Sequence, residues 1–98
     1  MSNTYDEKTA KKLFDLSAKM VTKLKPGITS DEKLKLYGLF KQGTVGDCGL
    51  TEPSKLFSPV DHAKWVAWNK NKGMNKYKAM DTYSQISNGF IDKYGIDI

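Results

Sequence analysis

Ninety-eight residues with 39% hydrophobic content allow one packed domain over residues 1–98 and leave no material for a second core. The formal charge of +5 rests on lysine alone, with no arginine in the chain. Lysine is a point charge suited to phosphate, and the missing guanidinium fork argues against a reader of bases and hence against a nucleic-acid partner.

Cys48 is the one cysteine, so an intrachain disulfide is excluded and a reducing compartment is favoured, with the cytoplasm as the expected location. No apolar run is long enough to span a membrane, and Met1 to Lys12 lacks the apolar stretch of a secretory signal. Stable membrane insertion is not expected.

Thr4 and Glu7 have capping-box spacing and predict the start of a first helix. Ala10, Leu13, Phe14, Ser17, Val21 and Leu24 recur at three- and four-residue steps and form its apolar stripe. Pro26-Gly27 ends it. Thr29 and Glu32 repeat the capping-box spacing, with Ser30 as a competing cap, and predict a second helix to about Gln42. Apolar residues on both sides of that helix imply two buried faces. Gly43 to Phe57 has no period and reads as a long loop, of a length that a compact domain keeps for function or packs tightly.

Ser58-Pro59 restarts a helix, with Ser as the cap, Pro in the first turn and Asp61 near the positive end. It carries Ala63, Trp65, Val66, Ala67 and Trp68 and stops near Gly73. Asn75 caps a fourth helix bearing Tyr77, Met80, Tyr83, Ile86, Ser87, Phe90, Ile91 and Tyr94, with Gly95 just past its end. The pattern is all-α, and the short connections Lys25–Ser30 and Lys72–Asn75 predict antiparallel neighbours.

Catalytic constellations are poor. His62 is the single histidine, Cys48 lies among glycines, metal sites built on His and Cys lack ligands, and no phosphate-binding glycine loop occurs. An enzyme is not expected, and neither a metal nor a resident cofactor is called for. What remains is aromatic rings spaced with lysines: Tyr37 and Lys41 four apart, then Lys64 and Trp68 at the same spacing, with Tyr83 on the fourth helix. Spacing leaves two readings open. The rings are core and the lysines snorkel, or rings and ammonium groups form a mouth for a base and its phosphates.

Tyr37-Gly-Leu-Phe40-Lys41-Gln42-Gly43-Thr44-Val45-Gly46-Asp47 resembles a signature of the acyl-CoA-binding proteins, and Ala63-Lys64-Trp65-x-Ala67-Trp68-Asn69 resembles their second. Lys72-Gly73, Ala79-Met80-x-x-Tyr83 and Lys93-Tyr94-Gly95-Ile96 follow in order, so the similarity runs from about Phe14 to Ile96. The resemblance implies a four-helix bundle, up-down-down-up, with a long overhand loop between the second and third helices. It implies a monomeric, non-catalytic carrier of medium- to long-chain fatty acyl-CoA, with acyl-CoA-using enzymes as further partners. A protein–protein adaptor is the alternative.

By the same resemblance Tyr37 and Phe40 stack near the adenine, Lys41 and Lys64 hold the nucleotide phosphate, and Tyr83 offers its hydroxyl. Leu34, Phe14 and Ala18 line the acyl path. The chain departs from the family pattern in places. Thr22 stands where many members carry Lys, with Lys23 beside it. Phe40 lacks the usual hydroxyl, Gly43 replaces Ala, and Lys33 occupies a position that is often apolar, where its stem would cover the acyl chain.

Overall fold

The computed structural model describes residues 6–97. Among them are four helices, α1 (Glu7–Val21), α2 (Ser30–Thr44), α3 (Pro59–Asn69) and α4 (Lys76–Tyr94). The one strand-like feature is a single antiparallel bridge between Leu24 and Ile96. No helix in this range is long and apolar enough to cross a membrane.

The helix ends follow their caps. At α1 the cap position is taken by Asp6, whose carboxylate accepts from the Thr9 hydroxyl at 3.1 Å and not from a backbone N–H. Thr4, expected to open a capping box, lies outside the described residues. The helix ends at Val21, short of the expected Leu24. The Thr22 hydroxyl donates to the Lys19 carbonyl at 2.6 Å and closes the last turn, while Leu24 leaves to pair with Ile96.

At α2 the choice between Thr29 and Ser30 falls to Thr29. Its hydroxyl accepts from the Glu32 N–H at 3.1 Å, and the Glu32 carboxylate accepts from the Thr29 N–H at 2.9 Å. The helix continues past Gln42 to Thr44. Ser58 precedes Pro59 as expected, yet its side chain makes no cap bond; its carbonyl accepts from the His62 N–H instead. α3 ends at Asn69, and turns carry the chain to Gly73. Asn75 caps α4 through Oδ1, and Gly95, at φ 80°, closes it by donating to the Ile91 carbonyl.

α4 packs against α1 and α2, and α2 packs also against α3. The Phe14 and Tyr83 rings meet near the middle of α1 and α4 while Leu24 reaches Ile96 beyond their ends, so these helices run parallel. Glu32 at the start of α2 bonds Tyr94 at the end of α4, and Gly43 lies against Met80, so these run antiparallel. Gly38 abuts Ala67, and Gly46 just beyond α2 accepts from Trp68 near the end of α3, so α2 and α3 run parallel. The order is up-down-down-up. The short connections therefore set direction but not packing: α1 and α2, like α3 and α4, have no close backbone approach.

The core joins Phe14, Leu36, Leu39, Met80 and Tyr83, with Ala18, Val21, Ile28, Met74, Tyr77, Ile86 and Phe90 around it. Leu13, placed on the apolar stripe, is half exposed, because α4 is the one helix whose backbone closely approaches α1 and the buried strip narrows to Ala10, Phe14 and Ser17. α2, with neighbours on two sides, buries Leu36, Gly38, Leu39, Gln42 and Gly43 as expected of two faces.

The overhand segment between α2 and α3 is fastened by specific bonds. The Trp68 indole donates to the Gly46 carbonyl at 2.7 Å, the Trp65 indole donates to the Leu50 carbonyl at 2.9 Å, and His62 Nε2 meets Glu52 at 2.8 Å. Asp47 accepts from the Gly73 N–H and from the buried Gln42 amide, which also donates to the Met74 carbonyl.

At the opposite end Glu32 ties α2 to α4 through the Tyr94 hydroxyl and Lys93. The Thr29 N–H, the Tyr94 hydroxyl and Lys93 together hold its pKa at about 2, against 4.5 for an ordinary Glu. A depressed carboxylate pKa contributes stability above the ordinary value, and that contribution is lost as pH falls from 4.5 towards 2. Glu32→Gln is expected to lower the melting temperature at neutral pH and to flatten its fall across that window. The two proteins should converge below it, as read by thermal melts at a series of pH values.

Candidate functional site

Tyr37 and Lys41 lie one turn apart on α2, and Lys64 and Trp68 do so on α3. Because the two helices run parallel, the pairs meet in register. Lys64 Nζ sits 5.2 Å from the centre of the Tyr37 ring, and Lys41 Nζ sits 4.9 Å from that of Trp68. Each ammonium rests on a ring of the other helix, an attraction of ~0.5–1 kcal/mol where water has access. The crossing requires a close seam. Gly38 supplies it, since a Cβ there would come within 2.7 Å of the Ala67 carbonyl carbon and closer still to its oxygen.

Beside this seam three rings cluster. Phe14 stacks on Phe40 at 5.4 Å, Tyr83 meets Phe14 edge-on at 5.0 Å, and Phe40 lies 6.0 Å from Tyr83. Tyr37, Phe40 and Tyr83 face a cavity of about 500 Å³, together with Lys33, Leu36 and the α1–α2 connection from Val21 to Ile28. Burial pushes the Tyr83 phenol up from its ordinary value. A second cavity of about 820 Å³ lies among α2, α3 and α4, with Leu34, Leu39, Ala63, Val66, Met74 and Ile86 in its wall. Both volumes fall within the usual range for small-molecule sites, ~300–1,000 Å³.

The residues singled out from the sequence divide accordingly. Tyr37, Phe40, Tyr83 and Lys33 share the smaller cavity, with Lys64 over the Tyr37 ring. Lys41 stands at the adjoining crossing, over Trp68. Leu34 belongs to the larger cavity. Phe14 is buried in the core and, with Ala18, also edges a groove among α1, α2 and α4. Thr22 is exposed at the end of α1 and lines neither of these cavities nor the groove, its hydroxyl being held by the Lys19 carbonyl.

Sequence reasoning missed the α1–α2 connection as a cavity wall. Leu24, Lys25, Pro26 and Ile28 face the smaller cavity, whereas the sequence marked Pro26-Gly27 only as a helix stop. Nothing in the local pattern carries that information, because it depends on where α4 and residues 95–97 hold the connection. No group of three or more His, Cys, Asp or Glu side chains able to hold a metal occurs among the described residues.

Helical direction, aromatic cluster and lysine crossing define a helical ligand-binding bundle. Residues 11–87 match the family model described as acyl CoA binding protein. The chain is 45% identical over 82 residues to acyl-CoA-binding protein homolog 1 of Caenorhabditis elegans, covering 84% of this chain and 94% of that one. It is 40% identical over 82 residues to acyl-CoA-binding protein 2 of Saccharomyces pastorianus, covering 84% and 93%. Its fold superposes on the crystal structure of Oryza sativa acyl-CoA-binding protein 2 with a TM-score of 0.84 at 31% identity, over 88% of this chain and 92% of that one. The chain belongs to the acyl-CoA-binding protein family.

Gly38→Ala tests the seam. Ala gains ~1 kcal/mol of helix propensity over Gly, but the new methyl meets backbone, which cannot swing aside as a side chain can. The expected result is a net loss of ~1–3 kcal/mol by denaturant titration. Unchanged stability would mean that the two helices part freely.

Proposed function

We propose that the chain is a non-catalytic carrier that binds medium- to long-chain fatty acyl-CoA, forming and moving an acyl-CoA pool in the cytoplasm as a monomer. Family membership and the likeness to proteins named for acyl-CoA binding support the reading. The observation that carries it is the reciprocal crossing of Lys41 and Lys64 on Trp68 and Tyr37, next to a ring-lined cavity and a largely aliphatic one.

In this reading the adenine lies among Tyr37, Phe40 and Tyr83, and the Tyr83 hydroxyl donates to the ligand. Phe40, 37% exposed and without a hydroxyl, offers only its face. The ammonium groups of Lys41 and Lys64 leave their rings for the nucleotide phosphate, exchanging a weak cation–π attraction for charge-assisted bonds worth ~1.5–3 kcal/mol each. Leu34 and the wall of the larger cavity receive the acyl chain. Enclosing most of sixteen carbons at ~0.8 kcal/mol per CH₂ yields on the order of 10 kcal/mol gross. Immobilising ligand and side chains takes back much of that. The affinity expected of such a carrier is nanomolar, about −12 kcal/mol.

Among the described residues no hydroxyl or thiol is hydrogen-bonded to His62, the chain's one imidazole, which lines the larger cavity and is engaged with Glu52 on the overhand segment. The thioester is carried intact, for acyl-CoA-using enzymes to consume. An adaptor reading draws on Leu56, Phe57 and Val60, which stand exposed at the end of the overhand segment and the start of α3.

Calorimetry separates these readings. Palmitoyl-CoA should bind with nanomolar affinity and free CoA far more weakly, because the aliphatic cavity stays empty; equal affinities would refute the acyl slot. Lys41→Ala should weaken palmitoyl-CoA binding by about ten- to a hundredfold. Its melting temperature should barely move, and the reverse pattern would make Lys41 structural. Incubation of palmitoyl-CoA with the pure protein should release no free thiol.

A further inference from the structure

The smaller cavity has a cationic side that the lysine–ring crossing does not serve. Part of its wall is the α1–α2 connection, and there it is lined by Lys25, while Lys33 lines it from α2. No carboxylate lines it among the described residues. Lys33 precedes Tyr37 by one helical turn and shares its face, so both stand over the same opening.

Lys25 is held in place and does not ride on a loose linker. Its N–H donates to the Gly95 carbonyl at 2.9 Å, next to the Leu24–Ile96 bridge, and the Asp97 N–H donates to the Lys23 carbonyl at 2.8 Å. The Lys25 stem runs over Gly95, where a Cβ would lie 3.5 Å from its Cδ, and Gly95 sits at φ 80°, where glycine is favoured. Residues 95–97 thus set the backbone of a lysine that lines the cavity.

Acyl-CoA carries two separated anionic groups, a monophosphate on the ribose and a diphosphate leading to the pantetheine arm. With the base among Tyr37, Phe40 and Tyr83, one set of cations stands on the α3 side, Lys64 with Lys41, and another on the α1–α2 side. We propose that Lys25 and Lys33 form a second cation pair that holds the diphosphate, leaving Lys41 and Lys64 to the monophosphate. The proposal rests on the acyl-CoA reading above. Its rival is that both lysines merely cover Val21, Leu24 and Ile28 with their stems and keep their charges in water.

Lys25→Met and Lys33→Met, singly and together, keep the stems and remove the charges, so the fold and the melting temperature should be those of the unsubstituted protein. Palmitoyl-CoA and its 3′-dephospho analogue are each titrated by calorimetry at two salt concentrations. The double variant is expected to lose affinity by about tenfold for both ligands, with a weaker salt dependence. Lys41→Met should lose affinity for palmitoyl-CoA but little for the analogue. A double variant within about twofold of the unsubstituted protein on both ligands overturns the proposal and supports stem packing. So does a loss that vanishes on the analogue, which would put the pair at the monophosphate. These outcomes leave the carrier reading standing; failure of the unsubstituted protein to bind palmitoyl-CoA would instead remove the reading beneath.

Discussion

The seam between α2 and α3 governs the rest of the molecule. Gly38 presents no side chain, the Ala67 backbone comes up against it, and the two helices lie parallel at close range. Parallel neighbours cannot be joined by a tight turn, since the chain must travel back along the bundle before α3 begins. The overhand segment is the consequence. Its irregular backbone is kept in place by side chains of α3, above all the two indole N–H groups that donate to Gly46 and Leu50. Trp68 therefore belongs to two structures at once. Its N–H fastens the loop and its ring carries Lys41.

That double use links fold and site. The buried Gln42 amide, Asp47 and the Gly73 N–H pin the end of α2 to the turn before α4. The bonds from Gly73 and Gln42 hold the Asp47 carboxyl below the usual carboxylate range. At the other end Glu32, Tyr94 and the Leu24–Ile96 bridge draw the C-terminal residues onto α2 and the α1–α2 connection. The ring-lined cavity lies between these two fastenings. Each of its walls comes from an element held by polar bonds, while the rings facing it gain their energy from burial and mutual packing. Such a cavity is largely pre-formed, which lowers the ordering cost a ligand must meet.

Local chemistry proved readable where it acts over a few residues. The capping box at Thr29 and Glu32, the Asn75 cap and the Gly95 stop each involve groups within a turn of one another. The cap at Ser58 was half readable, its position correct and its side chain unengaged. The end of α1 was not, because Leu24 is claimed by Ile96 from the far end of the chain. Leu13 failed for a similar reason. Periodicity shows which residues share a helix face but not how wide a strip the neighbouring helix covers.

The sequence by itself determined four helices, their all-α character and the pairing of Tyr37 with Lys41 and of Lys64 with Trp68, because those relations depend only on a 3.6-residue period and on nearby caps. Only the tertiary structure decided that each lysine crosses to the other helix's ring, that Leu34 lies in a different cavity from Tyr37, and that Lys25 edges the ring-lined opening. The reason is geometric. A helix face becomes a site wall only once its partner's direction and distance are set, and here both depend on Gly38 meeting Ala67 across the seam and on residues 95–97 reaching back to the α1–α2 connection.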